Sequence, residues 1–123
     1  MIKGILIDVN KGTSEVKELD GSLQDYYKAT NCDCIDIVTR KIEGNCYSFV
    51  VDDNGWLKEE SKIIPSVFSK ATKDVELVGN VFICNRKRED LVSLNEQDIE
   101  LIDLHTFEAK DPDGNLKRVL IID

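Results

Sequence analysis

At 123 residues, 41% of them apolar, the chain has the length and composition of one folded domain with a buried core, which excludes a disordered protein. Its formal charge of −8 excludes a protein that coats nucleic acid, because phosphate contacts require clustered Lys and Arg. No apolar run approaches the roughly 20 residues of a membrane helix, and "MIKGILIDVNKG" lacks the apolar stretch and cleavage site of a signal peptide, so a cytoplasmic protein without membrane contact is expected.

"MIKGILIDV" carries apolar residues on both alternating faces, the pattern of a mostly buried strand. "NKGT" is a turn signal, and "SEVKEL" (14–19) is the returning strand of a hairpin. The period then changes. Ser22 is placed to cap a short helix, with Asp25 three residues on and Leu23, Tyr26 and Tyr27 on one stripe, ending near Asn31. From Cys34 to Ile42 the period returns to two, "EGN" turns, and "CYSFVVDD" is the partner strand, closed by "DDNG". Residues 58–74 have no clean period and contain Pro65, so a surface excursion with one or two short pieces is expected. "VELVGNVFICN" (75–85) reads as one central strand, with Gly79 as a bulge or close approach. "SLNEQDIELIDLH" reads as the second helix, with Ser93 and Glu96 as its capping box. "TFEAKDPDGNLKRVLIID" is a hairpin around "DPDGN". The sum is an α+β domain over 1–123, a mainly antiparallel sheet of about seven strands with two short helices.

Cys32-x-Cys34 is one residue short of the C-x₂₋₄-C spacing that folds a zinc knuckle, and C-x-x-C redox spacing is absent. On an extended strand the two sulfurs would lie on one face, where Cys46 and Cys84 could join them, but nothing in the spacing requires it. Reduced thiols packed as small hydrophobes are the expectation, with no metal and no cofactor. His105 is the only histidine and sits just past the last helix, a position suited to the helix dipole. "DDNG" and "DPDGN" do not continue into a calcium loop, and the glycine patterns of nucleotide-binding folds are missing. No pair of carboxylates lies in an apolar setting suited to acid–base work, so no enzyme is indicated.

Three features are equipped to bind. "NRKRED" (85–90) gathers Arg86, Lys87 and Arg88 after the apolar strand, Arg40 and Lys41 end another strand, and Trp56 follows the "DDNG" turn. Arginine beside an aromatic ring holds a phosphate and stacks a base.

In order along the chain, "MIKGILID", "NCDCIDIVTRKI", "VVDDNGWLK", "LVGNVFICN" and "SLNEQDIE" resemble the family grouped as domain of unknown function 3846. The resemblance covers about residues 1–100 and leaves the hairpin over about 104–123 outside. It brings no established activity, catalytic residue or cofactor, and implies a setting among small accessory proteins of phages and mobile elements, which often blunt host defence. Two functional classes follow. The first is a non-enzymatic protein that sequesters a small nucleotide signal in a pocket shared between protomers. It would use Arg40, Arg86 or Arg88 for phosphate, Trp56 or Tyr47 for stacking, and Asn80 or Asn85 for hydrogen bonds. The second is an acidic, DNA-mimic-like protein that inhibits a nucleic-acid-binding defence complex of the host. Unprotected strand edges add the expectation of a homo-oligomer.

Overall fold

The computed structural model describes residues 1–59 and 63–123. β1 (Ile2–Asp8) and β2 (Thr13–Leu19) form the expected hairpin, in register from Ile2↔Leu19 to Asp8↔Thr13. The Asp8 carboxylate accepts from the amides of Asn10 and Lys11 and holds the turn. Helix α1 (Leu23–Thr30) starts at Ser22, whose hydroxyl accepts from the Asp25 amide, and stops where Asn31 turns left-handed at φ 54°. β3 (Ile35–Ile42) and β4 (Asn45–Asp52) are joined by Glu43 and Gly44, both at positive φ, as a two-residue hairpin needs.

After β4 the sequence expectation fails. "DDNG" does not close a hairpin; it leads into a 3₁₀ turn, Gly55–Leu57, on the way to a second sheet. Part of the excursion expected over 58–74 falls on residues 60–62, outside the described residues. The rest holds β5 (Pro65–Ser69), and β6 (Asp74–Val78) follows. Pro65 opens β5, where a missing amide hydrogen breaks little. The apolar run 75–85 is two strands in two sheets. Gly79 (φ 75°) and Asn80 form the corner between β6 and β7 (Val81–Lys87). β8 (Asp90–Val92) pairs back on β7.

Helix α2 (Glu96–Leu104) starts two residues later than expected. Asn95 is the cap and Asp98 completes the box, while the Ser93 hydroxyl accepts instead from the Lys3 amide. β9 (Thr106–Lys110) and β10 (Leu116–Ile122) are the expected terminal hairpin, its turn held by the Asp111 carboxylate on the amides of Asp113 and Asn115.

The described residues therefore give ten strands rather than seven, with two α-helices, and the architecture is α+β and mostly antiparallel. Sheet 1 runs β2-β1-β7-β4-β3 with β8 on β7, and sheet 2 runs β6-β5-β10-β9, with β5 and β10 parallel. Alternation along β1, β4 and β7 builds the layers. Ile5, Ile7, Phe49, Val51, Val81 and Ile83 meet Val67, Leu77, Leu120 and Ile122 of sheet 2, together with Ile102 of α2. Leu6, Val50, Phe82 and Cys84 point the other way and meet Tyr26 and Ala29 of α1. The central strands β1, β4 and β7 are buried on both faces, hence their apolar runs. Each fully buried Ile or Phe contributes about 1.5–3 kcal/mol, so this double core dominates the stability. No helix among the described residues is long and apolar enough to cross a membrane.

Candidate functional site

The site residues expected from sequence fall in three places. β7 separates Asn80, at its start, from Arg86 and Arg88, at its end, by about 20 Å at 3.3 Å per residue. Arg86 Nε donates to the Arg88 carbonyl at 2.9 Å, and Arg88 lies beside Lys87 in a shallow depression at the β7–β8 turn. Arg40 points toward sheet 2, where its Nε meets Glu76 Oε2 at 3.3 Å. Its charge is already paired within the chain.

Tyr47 and Asn85 do come together, but inside the fold. The Tyr47 hydroxyl donates to Asp98 Oδ1 at 2.8 Å and the Asn85 amide to Asp98 Oδ2 at 2.7 Å. Tyr47 is only 3% exposed, so its ring is packed against neighbours and offers no stacking face. Burial, and then the hydrogen bond to Asp98, pushes its phenol well above the ordinary tyrosine value. Asp98 thus joins β4, β7 and the cap of α2.

A concavity lies at the opposite end of sheet 1. Val9 and Asn10 leave β1 there, Thr30 and Asn31 end α1, Asp52 ends β4, and Val78–Asn80 turn the corner between the sheets. Together with Gly55, Lys58, Ile63 and Ile64 they enclose a cavity of about 380 Å³, within the usual range of small-molecule sites. Asn80 is the wall's rivet. Its Oδ1 accepts from the Val9 amide at 2.9 Å and its Nδ2 donates to the Ala29 carbonyl at 3.1 Å. Both ends of that buried amide are occupied by backbone, so Asn80 shapes the cleft rather than reaching into it. Lys58 Nζ sits 2.9 Å from Asp52 Oδ2, and this hydrogen bond holds the ammonium above its ordinary value. Trp56, adjacent to Gly55 and two residues from Lys58, is 55% exposed.

The cysteines do not assemble. Cys84 is buried under α1, and burial pushes its thiol up to about 12. Cys46 is exposed on β4. Cys32 donates to the Cys34 carbonyl, and Cys34 Sγ lies 3.8 Å from Asp53 Oδ2. Among the described residues no three His, Cys, Asp or Glu side chains are arranged to hold a metal ion. His105 ends α2 as expected, with Nδ1 at 2.8 Å from the Leu101 carbonyl and Nε2 at 3.3 Å from Glu43.

Sequence reasoning missed Lys58, Asn10 and Asn31 at the cleft, and Asp98 as the hub. The helix-ending signal at Asn31 was readable. Nothing local marks Lys58, which becomes part of a site only because the chain crosses between sheets beside it.

The family model described as Domain of unknown function (DUF3846) matches residues 2–107, and the chain belongs to that family. No curated protein and no solved structure matches it.

Proposed function

For this member of the DUF3846 family, we propose a cytoplasmic, non-enzymatic binding protein that captures a small nucleotide in the cleft beside Asn80 and Lys58. The carrying observation is the 380 Å³ cavity, walled by amides and one ion pair, with the half-exposed Trp56 next in the chain to its lining residue Gly55. Tryptophan supplies a stacking face for a base, and Asn10 and Asn31 supply neutral donors and acceptors. Among the described lining residues the one cation is Lys58, paired with Asp52, a setting that suits a small ligand of low charge. Arg40, Arg86 and Arg88 lie outside the lining and are not part of the proposed pocket. Among the described residues the lining pairs no nucleophile with a base, which suits capture without turnover. Sequestration of a nucleotide signal used in host defence is the physiological role proposed, on the setting that the family resemblance implies.

Trp56 is the only tryptophan and follows the lining residue Gly55, so its fluorescence reports on the proposed stacking. Titration with nucleoside monophosphates is expected to give a saturable change, weakened at least tenfold by Lys58→Met in a folded protein. A flat titration across the panel, with a bare mass by native mass spectrometry after purification from defence-active cells, would overturn the proposal. Salt-sensitive capture of a host protein in the same cells would then favour the acidic-inhibitor reading.

A further inference from the structure

β9 is the outer strand of sheet 2, and its free side is well defined. The Ile121 amide donates to the His105 carbonyl at 2.9 Å, and the Asp111 amide to the Asn115 carbonyl at 3.0 Å. In an antiparallel ladder these odd-numbered positions direct their backbone groups toward β10, so Thr106, Glu108 and Lys110 direct theirs outward. No described residue pairs with that outward row. Phe107, 50% exposed, and the exposed Ala109 share the outer face of the sheet.

We propose that two copies of this chain pair antiparallel through β9, about a two-fold axis at Ala109. In that register Glu108 of each copy faces Lys110 of the partner subunit, so two ion pairs form across one axis. Cross-strand opposite charges stabilise a sheet and like charges oppose it. Pairing by the outward groups restricts the neighbouring registers. An axis at Glu108 sets Glu108 against its own copy, and an axis at Lys110 does the same to Lys110. An axis at Phe107 leaves Lys110 facing the end of α2. Ala109 occupies the axis itself, a non-hydrogen-bonded position where Cα atoms approach to about 4.5 Å and a methyl group fits. The half-exposed Phe107 ring then lies diagonally over Ala109 of the partner subunit. Pro112, without an amide hydrogen, closes the pairing on one side. Charges on an edge strand usually repel further strands. Here their signs and spacing select one partner, a second copy of the same strand.

The two sheets 2 become one sheet of eight strands. The cleft touches Val78 of β6, at the other edge of sheet 2, about 14 Å across three strand spacings from β9. Pairing therefore leaves both clefts open and unshared, and binding and assembly are separable.

Sedimentation equilibrium is expected to give twice the chain mass of 13.9 kDa for the wild type. Lys110→Glu is expected to weaken self-association about ten- to hundredfold, by turning two attractive contacts into two repulsive ones. Glu108→Lys should do the same, and mixing the two variants should restore a heterodimer, since each then supplies the charge that the other lacks. Glu108 also meets Arg118 at 3.1 Å within its own chain, so Lys110→Glu alone decides the matter if Glu108→Lys does not fold. A wild type of single-chain mass at its highest soluble concentration overturns the proposal. So does a folded Lys110→Glu variant that dimerises as the wild type does, or a mixture of two folded variants that stays monomeric.

Discussion

Tyr47→Phe removes one oxygen and tests whether Asp98 is the joint that locks α2 to sheet 1. The ring is 3% exposed and stays in place, so the packing contribution is unchanged. What is lost is one hydrogen bond, 2.8 Å long, to an ionised carboxylate. Such a bond contributes about 1.5–3 kcal/mol. Asp98 is half-buried, and Oδ2 keeps its bonds from Asn85 at 2.7 Å and the Asn95 amide at 3.1 Å, so water regains part of the loss at Oδ1. A cost of about 1.5–2 kcal/mol is expected. For a domain of this size that corresponds to a Tm lower by about 6–8 °C, or a urea midpoint lower by about 1 M with an unchanged slope. Asp98→Ala should cost more, about 3–4 kcal/mol, because it strands the Tyr47 and Asn85 donors and removes the acceptor of the Asn95 amide, the reciprocal half of the α2 capping box. Equilibrium urea unfolding of the three proteins, followed by far-UV circular dichroism, gives the comparison. A Tyr47→Phe midpoint within error of wild type would refute the hub, as would an Asp98→Ala variant no less stable than Tyr47→Phe.

Four further outcomes are expected. Gly4→Ala should destabilise by about 1–3 kcal/mol, against the usual small gain, because its Cβ would meet the Ile83 carbonyl and the Phe82 ring; thermal melts would show the sign. Burial raises the Cys84 thiol from its ordinary 9.0 to about 12, so that contribution to stability is complete below pH 9 and fades as pH rises toward 12. Cys84→Ala should accordingly flatten the alkaline limb of urea midpoints, and parallel curves would contradict this. The Asp123 carboxylate is held below its ordinary 3.8 by the amides of Gly44 and Glu43, so its contribution is present above that pH and is lost as pH falls through the lowered value. Asp123→Asn should lower stability at neutral pH and make the acid limb shallower in a circular-dichroism titration. Deleting residues 108–123 should abolish cooperative unfolding, although the family match ends at 107, because β10 lies between β5 and β9 and carries the buried Leu120 and Ile122.

Local chemistry made half of this fold legible. The β1–β2, β3–β4 and β9–β10 pairs are short-range hairpins with turn residues between strands, and Ser22 and Asn31 bracket α1 as their side chains dictate. The errors lie where pairing is non-local. β5 lies beside β10, some fifty residues on, and no periodicity within 58–74 encodes a partner that distant. The run 75–85 is apolar on both sides of Gly79 because each half enters a core, and composition cannot tell one long strand from two strands that part at a corner. The positive φ of Gly79 was the available signal, and a bulge uses the same residue for the same reason.

The site was less legible, for a related reason. Arg40, Tyr47 and Asn85 are residues that can bind ligands, and the sequence offers no sign that Glu76 and Asp98 already engage them. Those acids arrive from β6 and α2, elements that sequence places far from β3 and β4. A polar side chain on a sheet buried on both faces must find its partner within the fold. Once β1, β4 and β7 are known to be covered on both sides, their inward polar groups become structural by default. Ligand-facing groups should then be sought where the chain leaves that sheet. Val9, Asp52 and Asn80 mark such exits, and the cleft lies among them. The same reasoning leads to β9, where backbone groups without a partner among the described residues coincide with side chains of alternating charge, and where a second copy of the chain is the partner proposed to satisfy both.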